Sequence, residues 1–305
     1  MKNVFVSISA ELRYISDPIL VHTISANSGK QLIPWFGVES KDIRGLTILD
    51  KELFIVSEKN SDVEVYNSIK FSICRVWNLK ELIDPRDIVS CDKNKCLYIL
   101  DCESFGNSRK ILMVDPSGKL LTKWSTGVDD GIGLSVTVEA NVILTAFDRN
   151  KLYEYSPEGL LIREIKLSSD AAMPISHPLH AVKLTNDHFL VIYGRYRGDL
   201  HRLCIVDANG KLKKSFGGIC GSTIEQMNYP IHLSVDGNRF VMVVDQENRR
   251  VLLLNSDLKF QREILSKDKH ELLCPTRILL DESNSRLFVA DNASSKQRIL
   301  IFEFK

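Results

Sequence analysis

The chain has 305 residues, 44% hydrophobic and 26% charged, which is enough apolar material for a folded core and an ordinary charge content for a globular protein. With 40 basic and 39 acidic residues the formal net charge is +1, so no general attraction to nucleic acid or to an anionic membrane follows from the balance. No apolar run approaches the ~20 residues a membrane helix needs, and the opening MKNVFVSISAELRY is no secretory signal, because its apolar run is short and Glu11 and Arg13 follow it. Seven cysteines, an odd count without a C-x-x-C pair, fit reduced thiols and a cytoplasmic setting.

In chain order, residues 1–38 read as three strands, NVFVSIS, ILVHTIS and SGKQLIPWFG, the last matching SGKLLTKW at 117–124. From residue 42 a four-strand pattern recurs. It reads DIRGLTI, ELFIVSE and VEVYNSIKFSICRVW at 42–77, then DPRDIVS, CLYILD and KILMVDPSGKLLTKW at 84–124. Copies at 131–167 and 177–217 follow, and the chain closes on CPTRILLD, RLFVAD and RILIFEF at 274–304. The clearest copy is 229–266. Its apolar runs 231–235, 240–244, 251–254 and 260–265 are separated by turn residues, including Asp236–Gly237, and read as four antiparallel strands, a to d.

Strand a often starts with proline (Pro85, Pro178, Pro230, Pro275), and the c–d hairpin often carries glycine (Gly118, Gly159, Gly210). One such meander cannot bury both faces, and four strands recurring every 40–50 residues specify a β-propeller. The expectation is an all-β protein with residues 1–305 as a single propeller domain of six blades, seven being the alternative. The ring is expected to close with an N-terminal strand at 31–37 laid outside 298–304, which leaves the two strands before it as an extension or the remnant of a seventh blade. The missing first strand is expected of a domain cut from a longer polypeptide or of an incomplete gene model. Insertions at 167–176 and 218–228 read as loops of the top face, the face carrying the d–a and b–c connections.

The motif Pro230, Asp236–Gly237, Val244–Asp245, Asn248, Arg250–Val251 resembles the NHL repeat, with looser matches at Ala290–Asp291 with Arg298 and at Leu100–Asp101 with Arg109. HPLHAV and LHRLCIVDANGKLKKSFGG also resemble a unit of the propellers that end the tripartite-motif ubiquitin ligases of animals and their invertebrate relatives. That resemblance implies a recognition module for a protein partner, in some members for RNA. The catalytic RING and B-box would lie elsewhere, since this sequence holds no paired Cys/His clusters. Asp245, Asn248 and Arg250 are then expected to brace their own blade.

Two groups of residues stand where a propeller exposes side chains that packing does not use. Counting two from the repeat proline gives a ring at the channel mouth: Arg44, Asp87, Gly133, His180, His232 and Arg277. It reads as a wet channel wall, a ligand pocket, or a metal site of His180, His232 and Asp87. Against the metal stand two guanidinium groups in the same ring, so no metal or other cofactor is expected, and no small-molecule substrate is identified. The b–c loops hold Arg195, Tyr196, Arg197, His201 and Arg202, with Arg249, Arg109 and Arg149 in neighbouring loops. Arginine mixed with tyrosine and histidine suits protein contacts and can also hold phosphates and stack on bases. No nucleophile elbow or phosphate-binding loop is visible. The primary expectation is a non-catalytic protein-binding platform. The alternatives are an RNA-binding propeller and a metal-dependent lactonase- or lyase-like enzyme.

Overall fold

A computed structural model describes residues 14, 16–25, 42–102, 109–168, 176–185, 187–293 and 296–305. Those residues form six four-stranded antiparallel sheets arranged as the blades of a propeller. The first whole blade comprises β2 (Ile43–Leu49), β3 (Glu52–Ser57), β4 (Asp62–Asn67) and β5 (Ile73–Asn78), preceded in the chain by β1 (Ile19–Ser25). The second has β6 (Pro85–Cys91), β7 (Cys96–Cys102), β8 (Arg109–Val114) and β9 (Leu120–Ser125), and the third β10 (Gly131–Val136), β11 (Val142–Ala146), β12 (Lys151–Tyr155) and β13 (Leu161–Lys166). The fourth has β14 (Pro178–Lys183), β15 (Phe189–Tyr193), β16 (Leu200–Val206) and β17 (Leu212–Ile219), and the fifth β18 (Pro230–Val235), β19 (Val241–Asp245), β20 (Arg250–Leu254) and β21 (Phe260–Ser266). After a single helical turn, α1 (Lys267–His270), the sixth is built from β22 (Pro275–Asp281), β23 (Arg286–Ala293) and β24 (Lys296–Glu303).

The strand order of the sixth sheet is β1-β24-β23-β22, so the N-terminal segment supplies its outer strand and closes the ring. The closing strand is therefore Ile19–Ser25, a segment read from the sequence as surplus. Residues 31–37, expected in that role, lie outside the described residues, as do 1–13 and most of the 167–176 insertion. ILVHTIS can close the ring because an outer strand has to bury few side chains. Ile24 packs among Phe288, Ile299 and Ile301, while Ile19, Leu20 and Val21 stay exposed. Tyr14 adds a second clamp, buried between Phe240 and Phe304 with its hydroxyl donating to Asp236.

Burial follows position in the blade. Middle strands such as β11, β15 and β19 are buried at every residue, because neighbouring blades cover both faces. The outer β9 alternates in exposure with the two-residue period of a strand. The core therefore consists of layers between blades. The first two blades enclose Phe54, Val65, Trp77, Ile99 and Leu112, for example, and the glycine at 118 is left-handed and lies where a Cβ would sit 2.7 Å from the Trp77 ring.

All six inner strands carry a β-bulge at the same point: between Ile43 and Gly45, Pro85 and Asp87, Gly131 and Gly133, Pro178 and His180, Pro230 and His232, and Pro275 and Arg277. A bulge re-aims a side chain that a regular ladder would place elsewhere. Six in a circle build the channel mouth.

Candidate functional site

The bulges arrange the mouth in two tiers. The outer tier is the bulged residue of each blade: Arg44, Arg86, Ile132, Leu179, Ile231 and Thr276, all lining one cavity of about 300 Å³. The inner tier, one residue further along each strand, is Gly45, Asp87, Gly133, His180, His232 and Arg277. Arg44 thus belongs to the outer tier and Gly45 holds its inner position, a correction to the ring counted from sequence. The first unit lacks the repeat proline, and the count slipped by one. Arg86, Thr276 and the three apolar residues of the outer tier were missed. Their signal, the residue directly after the first residue of each bulged a strand, a proline in four of the six, has meaning only once the bulge is known.

The inner tier staples neighbouring blades. Asp87 is buried and accepts from the amides of Ile88 at 2.9 Å and Leu134 at 2.8 Å. His180 Nε2 donates to the Leu134 carbonyl at 3.1 Å, and its Nδ1 has no partner among the described residues. His232 Nδ1 accepts from the Ile278 amide at 3.4 Å. The two imidazoles stack, with centroids 4.2 Å apart. Glycine at 45 and 133 makes room for these polar neighbours. A Cβ at 45 would lie 2.6 Å from the Ile88 amide nitrogen, and one at 133 would lie 2.9 Å from the Leu179 carbonyl.

Burial dominates the titration of this tier. It pushes the Asp87 carboxyl up to about 6 despite the nearby Arg277 and the two amides. It pulls His180 down to about 4 and His232 well below its usual range, the latter helped by the adjacent imidazole. Both histidines are held neutral. Among the described residues, no three His, Cys, Asp or Glu side chains cluster as a metal-binding group.

Arginines dominate one arc of the outer cavity. Arg44 pairs with Glu58 at 2.8 Å and Arg86 with Asp84 at 2.6 Å. Arg277 rises into the same cavity and donates to the carbonyls of Thr276 at 3.0 Å and Arg86 at 3.5 Å, with no carboxylate within 4 Å among the described residues. The Nε atoms of Arg44, Arg86 and Arg277 are all buried and have no partner among the described residues.

The rim loops divide into two groups. Arg195, Tyr196 and Arg197 are exposed, with Arg197 over the Tyr196 ring at 5.2 Å and Tyr196 edge-on to Tyr229 at 5.4 Å. Since Tyr229 lines the mouth, loop and mouth form one continuous surface. Arg249 is exposed on the next blade. His201, by contrast, is buried, its Nε2 donating to the Arg195 carbonyl and its Nδ1 accepting from the Tyr229 amide, so it holds the loop's shape. Arg109 and Arg149 line a separate depression of about 520 Å³ that also holds Asp129, Asp130 and Asp148. Arg149 pairs there with Asp129 at 2.9 Å and with Asp130 at 3.3 Å, and Arg109 donates to the Gly131 carbonyl.

The motif residues brace the top face as expected. Asp245 accepts from Arg250 Nε at 2.7 Å, from Asn248 at 2.8 Å and from the Asn228 amide at 2.6 Å. Arg250 also caps the carbonyls of Ser222, Thr223 and Gln226, and Asn248 that of Gly221. The sixth blade repeats the device with Asp291 and Arg298. In the second blade Asp101 is opposed by Lys110 at 3.2 Å, so Lys110, and not Arg109, holds the position the repeat assigns to arginine. In the fourth blade Tyr193 stands where the aspartate would be, opposite Arg202, whose buried Nε and Nη1 have no partner among the described residues.

No protein-family model matches the sequence, and no curated protein matches it either. Solved structures do match in fold. A streptogramin B lyase superposes with a TM-score of 0.60 at 10% identity, covering 93% of this chain and 87% of that one. A protein of unknown function from Bacteroides caccae gives 0.58 at 12% identity over 79% and 82% of the two chains. A chain of a nidogen–laminin complex gives 0.56 at 13% over 77% and 84%. At such identities the likeness establishes the six-bladed propeller alone. That fold serves lyases and proteins found in complexes alike, so the site has to decide function. Among the described residues, no helix is long and apolar enough to cross a membrane.

Proposed function

We propose that this propeller is an NHL-type binding platform that recognises a protein partner through its top face, as the substrate-recognition part of a ubiquitin-ligase system. The observation carrying this reading is the continuity of exposed Arg195, Tyr196 and Arg197 with the channel mouth through Tyr229. An exposed aromatic flanked by arginines beside a concave pocket is the composition of a protein-binding hot spot. The nidogen–laminin neighbour supports the use of such a ring in protein assembly, and the repeat around Asp245 supports the NHL relationship. A protein is favoured over RNA because carboxylates neutralise part of the top face: Arg149 faces Asp129 and Asp130, and Arg44 faces Glu58. Seven free thiols are in keeping with a cytoplasmic site of action.

The test is a pull-down with the wild-type chain and with Arg195, Arg197 and Arg249 changed together to Glu. The expected partner survives ribonuclease and is lost in the triple variant, whose melting temperature is unchanged because the three positions are exposed. A signal that ribonuclease abolishes, or that falls steeply with salt at a log–log slope of about −0.7 per phosphate contact, would mean RNA instead. Retention of every partner by the triple variant would move the working surface elsewhere.

A further inference from the structure

Resting on that reading of the top face, the mouth itself specifies what part of a partner it takes. The cavity of about 300 Å³ has a chemically divided wall. On one arc stand Arg44, Arg86 and Arg277, from the first, second and sixth blades. On the opposite arc stand Ile132, Leu179 and Ile231, from the third, fourth and fifth.

The charged arc is incompletely satisfied. Arg44 faces Glu58 at 2.8 Å and, at 4.0 Å, Asp42, which also lines the cavity; Arg86 holds Asp84, and Arg277 has no carboxylate within 4 Å among the described residues. All three Nε–H groups are buried without an acceptor among the described residues. A buried donor of this kind is costly to leave unmade. The three side chains line the open cavity, and a guanidinium is a planar fork that a carboxylate meets with two parallel hydrogen bonds. The facing isoleucines and leucine offer nothing to a second charge and would exclude water around an apolar group.

We infer that the mouth is a receptor for a polypeptide carboxylate carried beside an apolar side chain, the carboxylate seated on Arg277 and Arg86 and the side chain on Ile132, Leu179 and Ile231. The volume lies at the lower end of the range for ligand pockets and suits one or two residues of a partner rather than a folded surface. Two sources share this chemistry: a C-terminal carboxylate with an apolar last residue, and an acidic side chain flanked by apolar ones.

The experiment is isothermal titration calorimetry of the full chain with four probes. These are acetyl-Leu-Leu with a free C-terminus, the same dipeptide as its C-terminal amide, acetyl-Leu-Glu-Leu-amide, and inorganic phosphate. At least one carboxylate probe is expected to bind tenfold or more tightly than the neutral amide, and which one does so identifies the source. Arg277→Gln is expected to weaken that binding at least fivefold, while Lys123→Gln on the exposed outer strand β9 leaves it unchanged. Arg86→Gln, on a different blade, serves the same purpose if Arg277→Gln does not fold. Equal binding of acid and amide, phosphate binding as tightly as the acids, or unchanged affinity in a folded mouth variant would overturn the inference. None of those results bears on whether the rim loops capture a partner, so the two readings fail separately.

Discussion

The rim and the mouth of the top face both bury arginines, and they treat them in opposite ways. At the rim, Arg250 and Arg298 each sit on an aspartate with no exposure of its own and use their remaining donors on loop carbonyls. At the mouth, Arg277 has carbonyls but no carboxylate within 4 Å among the described residues, and its Nε is idle. A guanidinium whose donors are met by its own chain serves folding. One that is desolvated and left short of an acceptor is held at a cost in stability and is available to a ligand. Arg202 marks the boundary between the two. It occupies the bracing position, but Tyr193 has replaced its aspartate and two of its nitrogens have no partner among the described residues.

The sharpest way to break this comparison is at the rim. Arg250→Met strands the buried Asp245 and the carbonyls of Ser222, Thr223 and Gln226 together. The expected loss is about 3–5 kcal/mol, the scale of removing one partner from a buried ion pair, measured by urea denaturation. A loss below about 1 kcal/mol would mean that the brace does not hold the loop.

Next in size is the response to acid of the inner tier beneath the mouth. His180 is depressed by burial to about 4, so as pH falls from about 6.5 the unfolded chain takes up that proton first and stability drops until pH reaches about 4. His232 is lowered in the same direction. Asp87 is raised to about 6, so in the window from about 6 down to its ordinary value the folded chain takes up the proton first and stability rises as pH falls. A shift of about two units is worth on the order of 3 kcal/mol, so the Asp87 and His180 effects largely offset each other. Asp87→Asn removes the compensating half. Between pH 6.5 and 4 the variant is expected to lose roughly 3 kcal/mol more than the wild type. Parallel pH curves for the two proteins would remove Asp87 from this balance.

The smallest expected effect carries the opposite sign. Arg277→Met removes a desolvated guanidinium that lacks a carboxylate, and stability should rise by about 1 kcal/mol. A fall comparable to that of Arg250→Met would place Arg277 among the braces and dissolve the distinction between rim and mouth.

Much of the fold was legible because its causes are local. Apolar runs of strand length, turn residues between them and prolines at the start of four a strands repeat along the chain, and a four-stranded meander cannot bury both faces without neighbours. The brace at Asp245, Asn248 and Arg250 was legible for the same reason, since three residues within one turn meet wherever that turn forms. The burial of His201 was not, because its partners at Arg195 and Tyr229 are brought to it by a loop and by the next blade.

By itself, then, the sequence determined the all-β repeat, the number of whole units and the bracing of their turns, which depend on patterning within forty or so residues. Tertiary structure decided which N-terminal segment closes the ring. Several stretches could pair with β24, and only the closed circle selects Ile19–Ser25. It also decided the make-up of the mouth. Arg44, Arg86 and Arg277 are separated by up to 233 positions in the chain and become neighbours because six bulged strands converge on one axis. Spacing along the chain carries no record of that convergence, because it arises from the curvature of the closed ring and a one-residue offset in each inner strand.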